Sequence, residues 1–168
     1  SEIVPTVIAW LNGRILVGEG ASQMKYQLKK GKNIWYSFKM ELGEDLGAKY
    51  YDSELREVDP FRIKNPVDAA RVFFAYLKYL IIKYCTENNI STDILYAVSI
   101  PASFEANQRK DLLDALMANG MKVSKQALID EPNAAFISYA VSRAAEDRPM
   151  FISPDYNSKV LVFDFGGG

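Results

Sequence analysis

Apolar runs and helical patterns alternate along the second half of the chain, and this alternation limits the folds open to it. Runs typical of buried strands lie at 95–100, 122–129 and 160–165. Helical patterns fill the two gaps, at 103–119 and from about 130 to 145. Strand–helix–strand order usually joins parallel neighbours in one sheet. The sequence therefore predicts an α/β fold with a largely parallel core.

The clearest helix start lies at Asn65-Pro66, where an N-cap asparagine precedes a proline at the first helical position and Asp68 follows in the first turn. The pattern predicts a helix that continues to Asn88. Its apolar residues follow the i, i+3, i+4, i+7 spacing of one buried face, namely Phe73, Phe74, Leu77, Leu80, Ile81 and Tyr84. The other side is apolar too, which favours a core helix over a partner-binding surface. Cys85 reads as a small buried hydrophobe.

Two further regions have readable boundaries. The segment 3–10 predicts a strand, and the Gly-containing turn 11–14 joins it to a partner strand at 15–17, as in a β-hairpin. The stretch 34–40 predicts a short β-rich segment, and 41–65 is expected to be rich in loops.

The helix at 103–119 is predicted to have Ser103 as its cap and Gly120 as a left-handed stop. Its four large apolar residues are expected to point inward, namely Leu112, Leu113, Leu116 and Met117.

Composition excludes several kinds of chemistry. The chain has no histidine and one cysteine, so histidine-based triads, cysteine zinc sites and internal disulfides are excluded. Lys and Arg number 20 against 21 Asp and Glu, which gives no electrostatic signal for nucleic acid or an anionic membrane as partner. There is no signal-peptide pattern and no run long enough to span a bilayer. We therefore expect a cytoplasmic protein.

The last nine residues form the most distinctive motif. An apolar strand, Val160–Phe165, contains Asp164 and leads into Gly166, Gly167 and Gly168. A glycine turn of this kind can aim backbone N–H groups at a phosphate. A neighbouring aspartate suits Mg²⁺, which prefers one or two carboxylates together with phosphate oxygens.

Six motifs, read together, resemble the seventy-kilodalton heat-shock (DnaK-type) chaperones. They occur in that family's order and cover almost the whole chain: Val4–Ala9, Gly13–Gly18, Phe38–Gly43, Val98–Arg109, Leu128–Ala135 and Leu161–Gly168. The family's ATPase domain belongs to the actin, sugar kinase and heat-shock fold group. Two ribonuclease-H-like lobes, each with a mixed sheet flanked by helices, close on ATP in that group.

The resemblance implies a domain organisation. Residues 1–158 would be the first lobe, with a shortened peripheral insert at about 44–64, and 159–168 would be the first strand and phosphate loop of the second lobe. The family's first strand and its first phosphate loop, expected before Ser1, are missing from the sequence. Asn133 stands where the family usually has threonine.

The resemblance also implies catalytic roles. Lys39 matches the lysine that positions the attacking water and the γ-phosphate of ATP. Glu131 and Asp164 match the carboxylates that organise Mg²⁺ through water, and Gly166, Gly167 and Gly168 match a phosphate loop. On physical grounds alone, Glu131 could equally be an acid favoured by a helix N-terminus.

Pro101 and Arg109 match a pair that couples nucleotide state to the partner domain in the family. Without the resemblance, a proline after an apolar strand is a plain terminator, and Arg109 would be a surface helix residue.

The function implied is that of a fragment of a chaperone ATPase domain. The intact parent would bind and hydrolyse Mg-ATP, and would work with a substrate-binding domain, unfolded client proteins and co-chaperones. The fragment alone is expected to be inactive, and its strand at 160–165 could fill the vacant strand position within one chain or by swapping between chains. The alternatives are a divergent actin-fold ATPase or sugar kinase, and a non-catalytic interaction module that uses the aromatic helix.

Overall fold

The computed structural model describes residues 3–44, 47–50, 52–56 and 61–145. The chain divides into two compact units. The first consists of Ser1–Leu95 with Glu105–Val123, and the second of Tyr96–Phe104 with Ser124–Gly168.

The first unit contains a three-stranded antiparallel sheet. Its strands are β1 (Val7–Leu11), β2 (Arg14–Val17) and β3 (Ile34–Tyr36), in the order β2-β1-β3. Asn12 and Gly13 join β1 to β2 with φ of 51° and 74°. Positive φ at both central residues is what a two-residue hairpin turn requires. The predicted hairpin is thus confirmed, although β1 begins at Val7 and not at Ile3.

Successive side chains along each strand point to opposite faces of the sheet, and both faces are apolar here. One face packs with the short helix α1 (Glu19–Ser22), through a buried cluster of Val7, Ala9, Ala21 and Ile34. On the other face, Ile8 and Trp35 are fully buried. The long helix α2 (Pro66–Glu87) contacts β1.

The start of α2 is as predicted. The Asn65 side chain accepts a hydrogen bond of 2.7 Å from the backbone N–H of Asp68, and Phe73 and Cys85 are buried. The prediction that Ile81 and Tyr84 belong to the core is wrong, because they are 36% and 61% exposed. Helix α2 has 22 residues and is longer than the width of a three-stranded sheet. Its apolar second half is therefore only partly buried in the described part of the chain.

The N-cap of helix α3 (Ala106–Met117) lies two residues after the predicted cap at Ser103. Its N-cap is Glu105, whose backbone N–H donates to Gln108 Oε1 at 2.9 Å. This is one half of a capping box, in which the residue at the third helical position bonds back to the cap. Ser103 lies in the turn that precedes the helix.

The inward face of α3 is narrower than predicted. Leu112 and Leu116 are buried, as expected, together with Ala115. Met117 is 65% exposed, so its predicted inward position is wrong. At 100° per residue, Met117 is turned about 140° from Leu112 and about 100° from Leu116. Gly120 has φ of 63°, the left-handed conformation predicted for it.

The second unit contains a parallel pair of strands, so the predicted parallel order is confirmed for two of the three strands expected in this half of the chain. The strands are β4 (Val98–Ile100) and β5 (Leu128–Asp130), and helix α4 (Glu131–Ala145) packs against both. Both strands are shorter than predicted. Leu95 is 90% exposed, and a 3-10 turn at Lys125–Ala127 occupies part of the expected second strand.

The described strands form two separate sheets, one antiparallel and one parallel, where a single mixed sheet was expected. The architecture is therefore mixed α/β. The predicted strand at 160–165 lies outside the described residues, as does its proposed role in filling a vacant position.

Candidate functional site

Lys39 lies in a single 3-10 turn, Phe38–Glu41, which we call the lysine turn. The backbone is left-handed at both flanks of this turn, with φ of 61° at Ser37 and 80° at Gly43. A non-glycine residue rarely adopts this conformation unless surrounding contacts hold it there. The lysine turn is thus defined by its contacts, and three sets of contacts fix it.

The first anchor is apolar. Phe38 is buried and meets the Phe73 ring of α2 edge-on, with 6.2 Å between ring centroids and an interplanar angle of 62°. Leu42, just after the turn, is fully buried. Such aromatic pairs contribute roughly 0.5–1.5 kcal/mol beyond the area they bury. Because Phe38 and Leu42 point inward, Lys39 and Met40 are left on the exposed side of the turn.

The second anchor is a buried carboxylate. Glu41 is 8% exposed, and its Oε2 accepts a hydrogen bond of 2.8 Å from the Tyr50 hydroxyl. Its Oε1 lies 3.3 Å from Lys30 Nζ and 3.5 Å from Lys49 Nζ. A buried charge is tolerated when it is paired and hydrogen-bonded in this way. The network therefore fixes the last residue of the lysine turn.

The same network changes the acidity of Tyr50. Burial, the hydrogen bond donated to Glu41 and the negative charge of Glu41, in that order, raise the pKa of the Tyr50 hydroxyl well above the ordinary tyrosine value. Tyr50 consequently remains a hydrogen-bond donor to the ionised Glu41 at neutral pH.

The third anchor joins Gly43 to α3. The Gly43 N–H donates to Asp111 Oδ2, and Asn107 Nδ2 donates to the Gly43 carbonyl oxygen, both at 2.8 Å. A Cβ at position 43 would lie 2.7 Å from Gln108 Cγ and 2.9 Å from Asn107 Cγ. Both the positive φ and the close approach of the helix thus require glycine at this position.

Arg109 belongs to the same helix and is half-buried. Asn107 and Asp111 are four residues apart and share one face of α3. Arg109 is two residues from each and is therefore turned about 160° away from both. The bonds to Gly43 therefore hold the helix that carries Arg109 without using the Arg109 side chain.

In the second unit, Pro101 and Glu131 come together at one edge of the parallel pair. Ile100 is paired in register with Asp130, so each of the two residues directly follows the last paired residue of its strand. Glu131 is also the first residue of α4, where a helix N-terminus stabilises a carboxylate. In open α/β sheets, ligands bind outside the carboxyl ends of parallel strands.

The predicted site residues thus fall in three places. Lys39 and Arg109 belong to the first unit, and Pro101 and Glu131 to the second. Asp164 and Gly166–Gly168 lie outside the described residues.

The described residues contain no group of three or more Cys, Asp or Glu side chains arranged to hold a metal ion. No helix among them is long and apolar enough to cross a membrane.

Sequence reasoning missed the residues that hold the lysine turn, namely Glu41, Tyr50, Asn107 and Asp111. Glu41 had one weak signal, since it sits between apolar Met40 and Leu42 in the motif that carries Lys39. Nothing in the sequence indicated Asn107 or Asp111, because their partner Gly43 is more than 60 residues away in the chain.

Comparison with known proteins defines the class of protein to which this site belongs. A family model described as Hsp70 protein matches residues 1–168, the whole chain. The chain therefore belongs to the Hsp70 family, and the resemblance seen in the motifs is confirmed.

Individual relatives agree with this assignment. The chain is 27% identical to a heat shock cognate HSP70 protein of Trypanosoma brucei brucei, over 100% of this chain and 25% of that protein. It is 28% identical to the chaperone protein DnaK of Nitrosopumilus maritimus and 29% identical to that of Mycoplasma mobile. These matches cover 98% of this chain and 22% and 23% of the relatives. The chain thus spans about a quarter of the length of these relatives.

Proposed function

We propose that this chain is part of the ATPase domain of a molecular chaperone, and that the full-length protein carrying it binds and hydrolyses Mg-ATP. The observation that carries the proposal is the match of the Hsp70 family model over residues 1–168. The relatives named chaperone protein DnaK support the chaperone over a sugar kinase or another actin-fold ATPase. We further infer ribonuclease-H-like lobes, with residues 1–158 in the first and 159–168 beginning the second.

The chemistry available to the predicted residues fits this reaction. In phosphoryl transfer to water, positioning and electrostatic stabilisation supply most of the catalysis. Lys39 would orient the attacking water and the γ-phosphate, since a lysine is a compact cation with three donors. The exposed side of an anchored turn is a suitable place for that task, because the amine can reach a ligand while the backbone stays fixed.

The two predicted carboxylates would bind the Mg²⁺ ion. Glu131 and Asp164 would hold Mg²⁺ through water, and the backbone of Gly166–Gly168 would receive phosphate. When bound, Mg²⁺ supplies charge neutralisation at the phosphate oxygens. Glu131 begins α4 beside the end of β4, at the edge of a parallel pair where ligand-facing groups gather.

Pro101 and Arg109 are the proposed switch residues. Pro101 lies next to Glu131 at the strand ends. A change in the ligand bound at Glu131 would therefore alter the position of Pro101 first. In a chaperone, such a change would be passed to a substrate-binding domain that holds unfolded client proteins, with co-chaperones as further partners. A cytoplasmic location goes with this proposal.

The proposal is tested by ATP hydrolysis in the full-length protein with Glu131→Gln. Loss of the carboxylate is expected to lower kcat by about 100-fold, while ATP still binds. Glu87→Gln is the matched control, because Glu87 is an exposed acid that pairs with Lys83 on the surface of α2. Equal activity of the two variants, or a wild type that does not hydrolyse ATP, would refute the proposal.

A further inference from the structure

The contacts around Gly43 have a consequence for catalysis that rests on the proposed function of Lys39. The lysine turn ends two residues before Gly43, and Gly43 is bonded on both sides of its backbone to α3. We propose that Asn107 and Asp111 are positioning residues. By holding Gly43, they keep the lysine turn, and with it the Lys39 amine, in the geometry that ATP hydrolysis requires.

The bonds suit this role because they are long-range and specific. They connect residues 64 and 68 positions apart in the chain, and they use the N–H and the carbonyl of one glycine. Asp111 accepts as a carboxylate, and a charged acceptor makes a stronger hydrogen bond than a neutral one. One backbone residue is therefore fixed in both position and orientation.

The other anchors of the turn do not replace these bonds. Phe38 and Glu41 hold the first and last residues of the turn, but both side chains point to the interior of the first unit. Leu42 packs in the interior after the turn, and Gly43 is the next residue that is hydrogen-bonded to α3. A left-handed glycine without these partners has many other conformations available. Releasing it would let the exit of the lysine turn move.

A small displacement of the Lys39 amine is expected to slow ATP hydrolysis. A misplacement of about 1 Å can cost about 100-fold in rate, because the reacting atoms must be aligned. The loss is expected in kcat and not in KM, since the nucleotide is held mainly by other groups.

The test compares four variants in the full-length protein. Asp111→Ala and Asn107→Ala each remove one bond to Gly43, whereas Asp111→Asn keeps an oxygen that can accept from the Gly43 N–H. Asp114→Ala is the matched control, because Asp114 lies on the same helix and pairs with Lys110 at 2.7 Å in an exposed position. Hydrogen exchange of the Gly43 amide is measured together with kcat and KM.

The two alanine variants at 107 and 111 are expected to lower kcat by about tenfold with KM within twofold. Asp111→Ala should also speed exchange of the Gly43 amide by about tenfold. Asp114→Ala should behave like the wild type, and Asp111→Asn, which keeps a neutral acceptor, should lie between the wild type and Asp111→Ala. If Asp111→Ala does not fold, Asn107→Ala decides.

Three results would overturn the inference. Faster exchange at Gly43 with unchanged kcat would show that the bonds are structural only, and would leave the proposed function standing. An equal loss of kcat in Asp114→Ala would show a general effect of altering α3. A wild type without ATP hydrolysis would remove the proposed function and this inference together.

Discussion

Glu41 is the last residue of the lysine turn and is buried. It brings a negative charge into the interior beside the lysine turn, and one hydroxyl and two ammonium groups surround it. The two lysine side chains are 40% and 58% exposed, so water screens their attraction to the carboxylate. The hydrogen bond from Tyr50, which is buried, is therefore the stronger of these interactions.

Replacing Tyr50 with phenylalanine tests this bond. Because the pKa of Tyr50 is raised in the folded protein, its stabilising effect is complete below the ordinary tyrosine pKa of about 10 and is lost as pH rises beyond it. At pH 7, Tyr50→Phe is expected to lower the free energy of unfolding by about 1–2 kcal/mol. This difference from the wild type should shrink above pH about 10.

Urea denaturation at pH 7 and at several values above pH 10 provides the measurement. Tyr26→Phe is the control, since Tyr26 is fully exposed and should show no change at any pH. A Tyr50→Phe penalty that stays constant with pH would contradict the raised pKa.

At the level of elements, α2 and α3 are joined at the end of α3 by Asn119. Its Nδ2 donates to the Arg71 carbonyl of α2 at 2.9 Å and to the Ala115 carbonyl at 3.0 Å. Lys78 Nζ donates to the backbone carbonyl of Asn119 at 2.6 Å. Lys78 of α2 thus satisfies a carbonyl group that the end of α3 would leave open, and Asn119 adds a second hydrogen bond between the two helices.

Asn119→Ala is expected to lower the free energy of unfolding by about 2 kcal/mol, because the two carbonyl groups lose a donor in a partly buried place. Asn88→Ala is a matched control at the end of α2, where Asn88 Nδ2 donates to the Tyr84 carbonyl in an exposed position. The control should cost less than about 0.5 kcal/mol. Both values are measured by thermal or urea denaturation. Equal losses of unfolding free energy in the two variants would show that the bond from Asn119 to α2 does not stabilise the protein.

Some boundaries of helices and turns could be predicted from the sequence and others could not. The hairpin turn at Asn12-Gly13 and the start of α2 at Asn65-Pro66 were predictable, because local chemistry decides a turn and a cap. The inward face of Met117 and the cap at Ser103 were predicted wrongly. The orientation of Met117 depends on packing between elements that are distant in the sequence. The cap at Ser103 was wrong for a local reason, because Glu105 and Gln108 form a capping box two residues later.

In the candidate site, too, residues in local motifs could be predicted and long-range contacts could not. Lys39, Pro101, Arg109 and Glu131 were singled out because they lie in short motifs. The bonds from Asn107 and Asp111 to Gly43 were not predicted, because no local pattern marks a contact across more than 60 residues. The roles of the four motif residues stay predictions.

For the whole molecule, the Hsp70 family match extends over every residue of the chain, while the chain covers about a quarter of its relatives. The first unit holds an anchored lysine, and the second holds a carboxylate at the ends of parallel strands. Both are groups that ATP hydrolysis with Mg²⁺ can use.

The most direct test of this account is the single-turnover rate of ATP hydrolysis by the full-length protein with Lys39→Ala. Lys32→Ala is the control, because Lys32 is a partly exposed lysine of the same unit that pairs with Glu54 at 3.8 Å. The account predicts a loss of at least about 100-fold for Lys39→Ala, with ATP binding and Lys32→Ala close to wild type. A rate for Lys39→Ala within threefold of the wild type, or an equal loss in the control, would contradict it.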